Sequence, residues 1–87
     1  MALLTLSRRP DSQQLALFDA WLTPQDWVLL SGDARVMLWQ ANPTQAQGCI
    51  RRSDAQSLGG QPHSDWTQID DTEWLQLTID HTPLVHW

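Results

Sequence analysis

Lysine and tyrosine are absent from this 87-residue chain, and cysteine, phenylalanine and glutamate each occur once. One cysteine cannot close an internal disulfide, so a stapled secreted scaffold is excluded and a reducing cytoplasm is the expected compartment. No run approaches the roughly 18 apolar residues of a membrane span. Met1-Ala2-Leu3-Leu4-Thr5-Leu6 has neither the basic leader nor the long apolar stretch of a signal peptide. Five Arg are the only basic residues, and nine Asp with the one Glu leave a formal charge of −5. That balance argues against sequence-blind nucleic-acid binding, which depends on neutralising phosphates with Lys and Arg. The glycine-rich phosphate turns, the HExxH helix and the CxxC pair are all missing, as are internal repeats and low-complexity tracts. Nothing in the sequence asks for a cofactor or a metal.

Tryptophan is plentiful: Trp21, Trp27, Trp39, Trp66, Trp74 and Trp87. At 41% hydrophobic and 17% charged the chain is too apolar to be disordered. Residues 1–87 are read as one small domain. A chain this short buries only about 60–65% of the surface it exposes when unfolded. Each indole covers on the order of 200 Å² and wants a partner for its N–H, so a core this thin houses two or three of them. Trp21 and Trp27, in an apolar helix stripe and a strand, are assigned to the core. Trp39, Trp66, Trp74 and Trp87 are candidates for a partner interface, where Trp is enriched. The competing reading is that they replace Phe and Tyr in an ordinary core.

The pattern predicts an α/β fold with a mainly parallel sheet of about four strands flanked by helices. Leu3, Leu4 and Leu6 form a short apolar run that stops at Ser7-Arg8-Arg9-Pro10. Asp11 then opens a helix, with Gln14 completing a capping box. Leu15, Phe18, Trp21 and Leu22 make one apolar stripe, which Pro24 ends. Trp27-Val28-Leu29-Leu30 is a second uninterrupted run, and two such runs around a helix suggest parallel strands covered on both faces. Residues 34–40 fit a two-turn helix or a strand. Cys49-Ile50 is a short strand, 53–58 a helical turn closed by Gly59-Gly60, and 42–48 and 59–65 are loops. Trp66–Asp70 alternates as a strand near the sheet edge does. Residues 74–80 fit a strand, by the alternation of Leu75, Leu77 and Ile79, or a helix, by the face of Trp74, Leu75, Thr78 and Ile79. Asp70 or Asp71 as a cap, with Glu73 as its partner, tilts the reading to a helix that Pro83 ends, leaving a tail of residues 84–87.

Few constellations suit catalysis. Cys49 is either a half-buried structural thiol or, given Arg51 on the same strand face, a sulfur carrier. His63, His81 and His86 match no compact metal motif and read as surface residues, His81 at a helix C-terminus where its cation suits the dipole. Asp70-Asp71 is explained by capping better than by acid–base chemistry. Arg8 and Arg9 precede a helix N-terminus at the carboxyl end of the first strand, a place where an open α/β sheet can hold an anion or nucleotide. A solvated loop is the alternative.

The two ends of the chain resemble the DsrH/TusB family, the small subunits of a sulfur-relay complex within the DsrE/DsrF-like group. Leu4-Thr5-Leu6-Ser7-Arg8-Arg9-Pro10 resembles the family's first strand and turn, and Leu29-Leu30-Ser31-Gly32-Asp33 the end of its second strand. Trp74-Leu75-Gln76-Leu77, His81 and Trp87 resemble its aromatic-Val-x-Leu…His…Trp ending. Residues 34–65 match only in their order of elements. The resemblance implies a small three-layer α/β fold and a cytoplasmic heterohexamer with TusC/DsrF-like and TusD/DsrE-like subunits. It also implies a non-catalytic part in passing persulfide sulfur towards the tRNA wobble uridine for 2-thiolation, with tRNA met only through the relay. A related complex serves dissimilatory sulfur oxidation instead. Some members carry a functional Cys in the first helix; residues 11–22 contain none, which favours thiolation, and Cys49 inherits no family role.

Overall fold

A computed structural model describes residues 2–60, 62–81 and 84–87. Five strands form one sheet: β1 (Leu3–Leu6), β2 (Trp27–Leu30), β3 (Gln47–Arg51), β4 (Trp66–Ile69) and β5 (Leu84–His86), in the order β4-β3-β2-β1-β5. Every pairing is parallel, with Leu4 level with Val28, Val28 with Gly48, and Gly48 with Trp66. Helices α1 (Ser12–Trp21), α2 (Arg52–Leu58) and α3 (Asp71–Asp80), with a 3-10 helix over Gly32–Trp39, make the crossovers.

The layering follows from strand handedness. The crossovers β1 to β2 to β3 to β4 all step the same way, so right-handed connections place α1, the 3-10 helix and α2 on one face. The return from β4 to β5 runs the other way and places α3 alone on the opposite face. Two cores result. Leu4, Leu6, Val28, Leu30 and Ile50 meet Leu15 and Phe18 of α1, Met37 and Leu38 of the 3-10 helix, and Ala55 of α2. On the α3 side Leu3, Leu29, Cys49 and Ile69 meet Trp27, Trp74 and Leu77. Strands covered on both sides explain the uninterrupted apolar runs.

Local signals hold both long helices in place. Asp11 accepts from the Gln14 N–H at 2.8 Å and Gln14 returns the bond to Asp11 N–H. Asp70 and Glu73 repeat the capping box on α3, the Asp70 bond at 2.7 Å. The ambiguous stretch after Ser31 is the 3-10 helix, closed at Gln40. Gly32, at φ 50°, opens it against the Ser7 carbonyl, where a Cβ would lie 2.6 Å from the oxygen.

Two expectations are corrected here. The sheet has five strands, because residues 84–86 are not a tail: Leu84, Val85 and His86 lie level with Leu3, Leu4 and Thr5. Three residues are too few to show an alternation in sequence. The β3 strand begins at Gln47, two residues inside the expected loop. Pro83, expected to end α3, lies outside the described residues; α3 stops at Asp80, with His81 as its cap.

Candidate functional site

The outward side of α1 is built from Gln13, Ala16, Leu17, Ala20 and Trp21, all exposed. Their spacing is i, i+3, i+4, i+7, i+8, a continuous stripe on a 3.6-residue helix, lying opposite the inward stripe of Leu15 and Phe18. Leu17 is 69% exposed and Trp21 46%. Trp21 is therefore not a core residue. Its spacing fits both stripes, and Leu22, pulled under the helix end, fills the inward position instead. The helix carries one charged residue, Asp19, and that carboxylate accepts from the Gln45 N–H at 3.1 Å, away from the stripe. The stripe is thus an uncharged, largely apolar surface of the kind that a partner chain can cover.

The other tryptophans divide. Trp66 is only 4% exposed and sits in the main core over Gly48, so it offers a partner nothing. Trp39 is half exposed, its indole N–H donating to the Gly59 carbonyl at 3.3 Å. Trp74 packs on the second core with the Arg51 guanidinium 5.1 Å from its ring. Trp87 stands edge-on to Phe18 at 5.6 Å, and its backbone bonds to Thr5 and Ser7 extend the β5 ladder. Leu75 and Ile79, one turn apart on α3, are more than half exposed.

Cys49 is fully enclosed in β3. Burial alone pushes its thiol up to about 12, so thiolate, the reactive form, is scarce at neutral pH. Arg51 does not relieve this, being engaged with Asp71 at 3.0 Å and with Trp74. Arg8 lies 4.5 Å over the Trp87 ring, and at the α1 N-terminus the Asp11 carboxylate accepts from the Gln14 N–H.

An open α/β sheet binds ligands where adjacent strands send their helices to opposite faces. Here that point lies beyond β3 and β4, in a shallow cleft of about 220 Å³ lined by Arg52, Ser53, Gln56, Ile69, Asp70 and Asp71. Asp70 already caps α3, and Asp71 and Glu73 fill its first turn. Its lining sets two carboxylates, Asp70 and Asp71, against the single cation of Arg52.

One buried polar residue escaped the sequence reading and another was misplaced by it. Asp26 accepts from Ala2 N–H at 2.6 Å and Thr23 N–H at 2.7 Å, tying the start of β1 to the turn before β2. The Ala2 bond, opposed by desolvation and aided by Thr23, holds its carboxyl below the usual 3.8. His81 is not a surface residue. As the cap of α3 it folds beneath the helix, with Nδ1 3.0 Å from the Leu77 carbonyl oxygen and its ring edge-on to Trp27. Among the described residues no three of His, Cys, Asp or Glu converge as a metal site would require, and no helix is long and apolar enough to cross a membrane. No family model and no curated protein matches the chain.

Proposed function

We propose that this chain is a non-catalytic subunit of a cytoplasmic sulfur-relay complex of the DsrH/TusB type. It assembles with TusC/DsrF-like and TusD/DsrE-like subunits as a heterohexamer and supports 2-thiolation of the tRNA wobble uridine. The observation that carries the assembly part of this reading is the uncharged outward stripe of α1, with Leu17 and Trp21 at its centre. Obligate interfaces are apolar at their centres and enriched in Trp. The two motif-bearing ends also lie side by side, since β5 pairs with β1 and Trp87 bonds to Ser7. A thiol held protonated in β3 leaves transfer chemistry to another subunit. A charge of −5 leaves tRNA contact to partners as well.

Co-expression with the two partner subunits tests the reading. One heteromeric species is expected on size exclusion, and Leu17→Glu with Trp21→Glu releases this chain from it. Cys49→Ser leaves thiolation in the reconstituted relay unchanged. A wild-type chain that remains a monomer beside both partners overturns the assembly, and loss of thiolation in Cys49→Ser overturns the non-catalytic assignment.

A further inference from the structure

Helix α3 covers only part of its face of the sheet. Beside it, over β1 and β5, runs a groove of about 290 Å³. Leu3 and Leu29, both buried, and the half-exposed Leu84 form its floor, Trp74 of α3 its wall, and Arg51 and His86 stand at the carboxyl ends of their strands. The size is at the small end of small-molecule sites, and the mix of apolar lining with a few polar groups is theirs also.

Arg51 is incompletely satisfied. Its Nη2 meets Asp71 Oδ1 at 3.0 Å and its guanidinium carbon lies 5.1 Å from the Trp74 ring centre. Its Nε is enclosed, yet has no hydrogen-bond partner among the described residues. A buried donor left unpaired is costly, and native structures rarely tolerate one. The Asp71 side chain is 81% exposed, so water screens that pair and it neutralises Arg51 weakly. Nε itself is sealed from the groove. The reachable edge is that of the outer nitrogens, since the side chain is 37% exposed and lines the groove, and a negatively charged acceptor there would complete its pairing. A guanidinium edge matches the planar carboxylate best.

We propose that the groove binds a small organic carboxylate, its apolar body on Leu84 and Trp74 and its carboxylate accepting from the outer nitrogens of Arg51. The site belongs to the single chain and does not rest on the relay reading. It differs from the Arg8 and Arg9 turn, which lies beyond the end of β1.

Titration of the full chain with benzoate, followed through the Arg Nε–H and Trp Nε1–H resonances, tests it. Arg51 and Trp74 are expected to shift together and to saturate. Benzyl alcohol, of the same shape without the charge, binds about tenfold more weakly, the worth of one charge-assisted hydrogen bond. Arg51→Gln brings benzoate down to the level of the alcohol, whereas Asp71→Asn, which removes the competing carboxylate, tightens benzoate binding several-fold. Thr78→Trp fills the groove from α3 without touching Arg51 and abolishes binding of both probes, so the test stands even if Arg51→Gln fails to fold. Absence of saturable shifts overturns the proposal. So does equal binding of benzoate and benzyl alcohol, or benzoate binding undiminished in Thr78→Trp.

Discussion

Trp66 lies so close against Gly48 that a Cβ at residue 48 would be 2.6 Å from Cε3 of the indole. The two residues are level across the β3–β4 ladder, and the Trp66 indole N–H donates to the Gln40 carbonyl at 2.7 Å, so the ring cannot swing aside without losing that bond. Glycine here makes room for an aromatic neighbour; it is not there for a turn. Gly48→Ala should therefore destabilise the chain by about 1–3 kcal/mol, as overpacking does. Urea unfolding checks it: the midpoint falls while the m-value stays constant.

Trp66 and Trp21 should respond oppositely to substitution. Trp66→Ala removes a core indole and costs about 3–5 kcal/mol. Trp21→Gln acts on an exposed position and stays within about 0.5 kcal/mol of wild type. Thermal melts of the isolated chain separate the two.

The Asp26 carboxyl is held below 3.8 by its bond from Ala2. A depressed folded value favours the carboxylate, so its contribution is complete above pH 3.8 and is lost as the pH falls below that. Asp26→Asn should cost about 1.5–3 kcal/mol near neutrality, as loss of bonds to a charged acceptor does. It should also flatten the pH dependence of stability below pH 4, as read from urea midpoints across that range.

Cys49 predicts the reverse slope. With its thiol raised from 9.0 to about 12, the folded chain holds a proton that the unfolded chain releases. Stability is therefore complete below pH 9 and falls between 9 and 12, by up to roughly 4 kcal/mol. Cys49→Ala removes that dependence. At pH 8 an aromatic disulfide reagent should leave the folded chain unmodified and react only after denaturant is added.

Local features were legible in the sequence, and features made by distant strands were not. Asp11 with Gln14 and Asp70 with Glu73 announce their helices because a capping box spans four residues. The runs Leu3–Leu6 and Trp27–Leu30 announce buried parallel strands because both faces are covered. The reason for Gly48, by contrast, is Trp66, and the reason for Asp26 is Ala2, 24 residues earlier. Neither relation has a local signature. The α1 stripe was present as spacing from Gln13 to Trp21, but Trp21 is also three residues from the inward Phe18, and a helix apolar on both sides does not say which side faces in. The Arg51 groove depends on α3 leaving Leu84 of β5 half exposed beside β1, and β5 comes to that place only by pairing with the other end of the chain.

The ladder joining Leu3–Thr5 to Leu84–His86, extended by the Ser7 hydroxyl donating to the Trp87 carbonyl, closes contacts 80 residues apart. During synthesis β1 leaves the ribosome first and keeps one edge unpaired until residues 84–87 emerge. So many long-range pairings make for slow folding, and an open strand edge invites pairing with another chain. A nascent or truncated chain that stops before Leu84 thus carries a ready template for aggregation along β1, and residues 84–87 act as its shield.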